Sequence, residues 1–158
     1  MDSSVLVTER DRVLLRNQGE NHMNAKKLVV GIVVGTIVAM IVSYIIFDLL
    51  MSDFYAANLG SAVGVMRESQ MLWAVIVGTA AYAALITYVL GLQPGQSTIV
   101  AGLKTGALVG LLLWGTADFI LLGVMNVHTP VLAVVDSLLE ALRGSIVGAA
   151  VAAVLAKL

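Results

Sequence analysis

Four long apolar runs separated by short polar breaks organise the chain, at positions 28–50, 71–92, 99–124 and 131–156. At 1.5 Å of rise per residue, each is long enough to cross a hydrocarbon core of ~30 Å as a helix. The second run carries no charge, and the third holds only Lys104 near one end and Asp118 near the other. The breaks carry turn chemistry: Gln93-Pro94-Gly95-Gln96-Ser97 follows the second run and Asn126-Val127-His128-Thr129-Pro130 the third. Thr129 is placed to cap the fourth helix, with Pro130 in its first position. The first run exceeds the ~7–15 apolar residues of a cleaved signal peptide, and further spans follow it. The pattern predicts an all-α, four-span polytopic membrane protein.

The link over 51–70 is longer than the other breaks. Phe54, Tyr55, Leu59, Val63 and Met66 recur in it at roughly helical spacing. This predicts an amphipathic helix in the first outer loop, with Phe54 and Tyr55 in the headgroup belt. Gly60 and Gly64 make that helix breakable. Residues 1–27 form a polar segment ahead of the transmembrane domain at 28–158. A short helix from Thr8, with Asp11 three residues on, would dock on a partner or the membrane surface, or the segment is a frayed tail. Met23-Asn24-Ala25-Lys26-Lys27 reads as a second start, which would make the first 22 residues an extension.

Small residues sit at one-turn spacing on three spans. Gly31 and Gly35 pair on the first, Gly102, Gly106 and Gly110 on the third, and Gly144 and Gly148 on the fourth. Such faces let backbones approach where lipid is as apolar as the side chains. They predict packing within a tight four-helix bundle. The alternative is that one face, that of the third span, meets another subunit.

Composition agrees. Of 158 residues, 59% are hydrophobic and 12% charged, half the charge of an average soluble domain. The net charge of −1 offers no basic stripe for nucleic acid. With no cysteine, disulfides, thiolate metal sites and a Cys nucleophile are excluded. Basic residues are asymmetric. With the N-terminus inside, Arg10, Arg12, Arg16, Lys26, Lys27, Lys104 and Lys157 lie on the inner side, against Arg67 alone in the outer loops. This predicts both termini in the cytoplasm.

The chemistry-bearing positions cluster toward the outer side. Asp136, Glu140 and Arg143 fall within about 60° of arc on the fourth helix. From the outer helix ends, Asp118 lies ~9 Å deep, Asp136 ~7.5 Å, Glu140 ~14 Å and Arg143 ~18 Å. Asp48 sits two residues from the outer end of the first span. Ionisable groups at such depth are costly and mark partners or polar cavities. Asp48, Asp118, Asp136, Glu140 and Arg143 therefore form a candidate polar intramembrane cluster. It is either an ion-pair network that fixes helix rotation, a site open to the outside for a proton, cation or small solute, or a surface for a partner subunit. The acids could ligate a hard cation, but His22 and His128 stand alone, and no metal or cofactor is expected. Trp73, Tyr82, Tyr88 and Trp114 serve as packing or interface anchors, or line an apolar pocket. Ser43, Ser137 and Ser145 lack a neighbouring His in sequence, and no nucleophile-elbow, phosphate-loop or zinc-protease motif occurs. No enzymatic activity is expected.

Two segments carry a resemblance. The first is Asp53-Phe54-Tyr55, Asn58, Gly60, Gly64-Val65-Met66-Arg67-Glu68 and Met71-Leu72-Trp73-Ala74. The second is Gly106-Ala107-Leu108-Val109-Gly110, Asp118 and Asp136. Over about 24–156 the chain resembles small bacterial membrane proteins with a domain of unknown function, the seventeen-sixty-one type or a relative. The resemblance implies four helices with an outer loop helix in a bacterial inner membrane. It implies no activity and no functional residues, and it does not cover Glu140 and Arg143. Together these features predict a non-catalytic accessory or scaffold subunit of a membrane assembly, with lipid, other membrane subunits or a second copy as partners. The alternative is a transporter or channel component that uses the outer-half acids.

Overall fold

The computed structural model describes residues 24–93 and 98–158. The helix expected from Thr8, the second start at Met23 and most of the 93–97 turn lie outside these residues. The described residues form five helices in chain order: α1 (Ala25–Ser43), continued by a π-helical segment (Tyr44–Leu50), α2 (Ser52–Asn58), α3 (Leu72–Gly91), α4 (Ile99–Val124) and α5 (Pro130–Leu155). Ala25–Leu50, α3, α4 and α5 are each long and apolar enough to cross a membrane. The fold is all-α and polytopic, as the pattern predicts.

Local chemistry sets the helix ends. Asn24 Oδ1 accepts from the Lys27 backbone N–H at 2.8 Å, so α1 starts at Ala25, ahead of the apolar run. Thr98 and Thr129 cap α4 and α5 in the same way, and Pro130 opens α5. The loop helix is shorter than its apolar spacing suggests. It stops at Asn58, because the chain then turns extended and pairs with the α4–α5 turn. Gly60 N–H donates to Val127 C=O at 3.0 Å and Ala62 N–H to Asn126 C=O at 2.9 Å, and Leu59 bridges His128. A Cβ at Gly60 would strike the Asn126 carbonyl, so this glycine is where the two loops approach.

Helix packing follows small residues. On α1, Gly31, Gly35 and Ala39 are buried while Val29, Val33, Ile37 and Ile41 stand exposed. Small inside and large outside is the pattern of a helix that packs closely on protein and turns its bulk to lipid. Gly31 meets Thr87 of α3, and Gly35 meets Ala83 of α3 and Val151 of α5. Gly102 and Gly106 of α4 meet Gly148 and Gly144 of α5 backbone to backbone, and Gly110 meets the Glu140 carbonyl. The glycine face of the third span is thus used within the chain, not left free for another subunit. α5 is the central helix, with the longest set of buried residues. Tyr82, Ile86, Val147 and Val151 form the middle of the core.

Candidate functional site

The α2 end of the bundle contains a buried polar network built from all four long helices and α2. Its deepest member is Arg143, 7% exposed. Nη2 lies 2.7 Å from Glu140 Oε2, one turn away on α5, and Nη1 donates to Ser43 Oγ at 2.6 Å. Three aromatic rings enclose the guanidinium: Tyr82 at 4.8 Å, Trp114 at 5.7 Å and Phe47 at 5.9 Å to the centroids. These are cation–π distances. One ring comes from each of the π-helical segment, α3 and α4, so Arg143 ties α5 to every other long helix. The π-helical segment begins directly after Ser43 and brings Phe47 to the cage. The Glu140 contact is an ion pair without the straight geometry of a forked hydrogen bond. Among the described residues, Glu140 Oε2, Arg143 Nε and the Tyr82 hydroxyl find no hydrogen-bond partner.

The shallower half centres on Asp118 of α4, 1% exposed. Its Oδ2 lies 3.0 Å from Ser137 Oγ, which also lies 2.8 Å from the Ala133 carbonyl of its own helix. Asp136 is the neighbouring carboxyl. The Tyr55 hydroxyl donates to Asp136 Oδ1, and the Tyr55 ring meets Phe47 edge-on at 5.6 Å. Tyr55 therefore turns inward from the loop helix rather than sitting in the headgroup belt. On the other side, His128 Nδ1 lies 3.9 Å from Asp118 Oδ1.

Of the candidate cluster, Asp118, Asp136, Glu140 and Arg143 come together. Asp48 does not: it is exposed on the π-helical segment. The four-acid oxygen set is thus not assembled, and among the described residues no three His, Asp or Glu side chains gather to hold a metal ion. Ser43, Phe47, Tyr55, Ser137 and His128 are members that sequence spacing did not single out. Ser137 carried a signal, being one residue from Asp136 and one turn from Glu140. In space Asp118 lies between Ser137 and His128. The imidazole is therefore not placed to take the serine proton, and the order is not that of a nucleophilic triad.

Burial, then the hydrogen bond to Asp136, pushes the Tyr55 phenol well above the ordinary tyrosine range. Folded-state Tyr55 thus stays a neutral donor where a free phenol, with its pKa near ~10, ionises. Its raised pKa contributes stability that is fully present below that range and is lost as pH climbs above it. Tyr55→Phe should cost about 1.5–3 kcal/mol at neutral pH. It should also flatten the alkaline decline in melting temperature, measured from neutral pH to above the phenol range. An unchanged alkaline decline would show that Tyr55 is solvated.

Comparison with protein-family models, curated proteins and solved structures finds no match to this chain.

Proposed function

We propose that the protein is a non-catalytic accessory or scaffold subunit of a membrane assembly. We place it in a bacterial inner membrane with both termini cytoplasmic, the side that collects Lys and Arg under the positive-inside rule. One observation carries the subunit reading: the polar network is a dead end. It begins at the α2 end and stops at Arg143. Beyond that, Gly144 and Gly148 press backbone to backbone on Gly106 and Gly102, and the core is Ile86, Val147 and Val151. The buried hydroxyls of that region bond elsewhere, Thr87 to the Ala83 carbonyl and Thr105 with Gln93, and a path for a proton or ion would need ionisable groups to continue there, of which none is buried among the described residues. The network instead supports a fixed helix arrangement, the task of a rigid subunit.

The second reading is a transporter or channel component for a proton, cation or small solute. It is favoured by the make-up of the network, where among the described residues three carboxyls, Asp118, Asp136 and Glu140, gather with one guanidinium, Arg143, and the His128 imidazole. Two measurements separate the readings. After mild-detergent extraction and cross-linking, the subunit reading expects a complex larger than one chain, and a lone monomer in every condition counts against it. In liposomes the purified chain should give background proton and cation flux, with Asp118→Asn and Asp136→Asn shifting only thermal stability. Flux that disappears with either substitution would replace the first reading by the second.

A further inference from the structure

We propose that the end of the bundle opposite α2 binds anionic phospholipid head groups, with Lys104 as the anchor that faces the bilayer. Charge is sorted along this bundle. Among the described residues, all six acidic side chains, Asp48, Asp53, Glu68, Asp118, Asp136 and Glu140, lie toward the α2 end, with Arg67 beside them and Arg143 near mid-helix. The opposite end holds Lys26 and Lys27 at the start of α1, Lys104 near the start of α4 and Lys157 just after α5. No acidic side chain of the described residues accompanies them there. Neither ion pair among the described residues involves a lysine.

Lys104 selects the occupant. It stands five residues past Ile99, the first residue of α4, ~7.5 Å along the axis and so inside the span. Its side chain is exposed on the same face as Val100, Leu108 and Leu111, which are 59%, 57% and 38% exposed. A charge on a lipid-facing stripe is costly unless its stem carries the ammonium up to the interface. There the counter-charge it meets is a phospholipid phosphate. An anionic head group carries net charge that a zwitterionic one lacks, worth about fivefold in affinity per lysine. The surrounding stripe argues against a protein occupant. Membrane helices pack on small residues, and α4 turns Gly102, Gly106 and Gly110 inward onto α5. What it turns outward around Lys104 is aliphatic bulk, which suits acyl chains. Gln93 Nε2 donates to Thr105 Oγ1 at 3.0 Å, which ties the end of α3 to the residue next to Lys104. This surface requires only the membrane-crossing fold, whichever way the bundle faces and whether or not it joins an assembly.

The test uses the full chain in phosphatidylcholine nanodiscs. Each preparation holds a trace of phosphatidylglycerol or of phosphatidylcholine bearing the same diazirine near the top of one acyl chain. The α4 peptide with Val100, Leu103 and Leu108 should be labelled about fivefold more by the anionic probe than by the zwitterionic one. Unlabelled phosphatidylglycerol should displace that label, and added salt should shrink the difference. Lys104→Gln should bring the two probes level at α4, with elution and helix content unchanged because the side chain is exposed. Lys104→Arg should keep the preference. Glycerol phosphate in the buffer should leave the labelling as it is. Equal labelling of wild-type α4 by the two probes would overturn the proposal, as would an undiminished preference in a folded Lys104→Gln chain. Displacement of the anionic probe by glycerol phosphate would overturn it too, since the site would then take a free phosphate rather than a lipid.

Discussion

Arg143→Met is expected to lower folding stability by about 3–5 kcal/mol, the range for removing one partner of a buried ion pair. The methionine keeps most of the apolar stem, so the loss isolates the charge. Glu140, 3% exposed, would be left with a carboxylate in the bundle interior and neither water nor cation beside it. The rings of Phe47, Tyr82 and Trp114 would lose their cation, a further contribution of ~0.5–2 kcal/mol by usual cation–π values, though the two losses need not add. Arg143→Lys should fall between wild type and Arg143→Met. An ammonium can still meet Glu140, but it lacks the planar face that stacks on the cage and cannot hold Ser43 and Glu140 together. Glu140→Leu combined with Arg143→Met should recover most of the loss, since a buried pair replaced by apolar residues of similar volume is often neutral or better. Denaturant-induced unfolding in bicelles, followed by helical circular dichroism, measures all four chains. If Arg143→Met stays within about ±0.5 kcal/mol of wild type, as surface substitutions do, the guanidinium is water-solvated and the cage is not a lock.

The same network shows where sequence stops informing. The four spans, the Thr129–Pro130 helix start and the glycine faces are legible because each is a one-dimensional signal: run length, a cap residue, a four-residue interval. The Glu140–Arg143 pair is legible for the same reason, as an i, i+3 neighbour on one helix. Its cage is not. Phe47, Tyr82 and Trp114 come from three other elements, and their meeting depends on how each helix rotates about its axis. The π-helical segment makes this harder, because it changes the angular phase after Ser43 and no proline or glycine in Tyr44–Leu50 announces it. Asp48 is a further case. It lies within the π-helical segment, where the α-helical step of α1 no longer holds, so its exposure could not be read from the Gly31–Gly35–Ala39 spacing. His128 reaches the network from the α4–α5 turn, whose irregular backbone leaves no period to read, and Tyr55 from the short helix α2, whose spacing does not say which way it rotates.

Gly106→Ala should destabilise by about 1–3 kcal/mol, the usual range for overpacking a close-packed interior. Alanine substitution at two other helical glycines should move stability the other way. The Cβ of residue 106 would fall on the Gly144 carbonyl, with the Gly148 Cα also in contact. Backbone cannot rotate aside as a side chain does, so α4 must lift from α5. At Gly78 and Gly123 a Cβ meets nothing within 4 Å. There alanine only removes the entropic penalty of a helical glycine, a gain of roughly 0.5–1 kcal/mol. The sign of the change therefore separates contact from helix propensity, which all three substitutions share. The displacement itself can be read chemically, because the chain has no cysteine and an introduced pair is unique. A Cβ at Gly115 lies 3.8 Å from the Ser137 Cβ, close to the mean Cβ separation of a disulfide of about 3.8 Å. Gly115→Cys with Ser137→Cys should oxidise efficiently in the otherwise native chain, and adding Gly106→Ala should lower the yield by moving α4 away. An undiminished yield together with a neutral Gly106→Ala would mean that the two helices do not meet along their glycines. It would also remove the structural reason for Asp118 lying against Ser137, two to three turns further along the same interface.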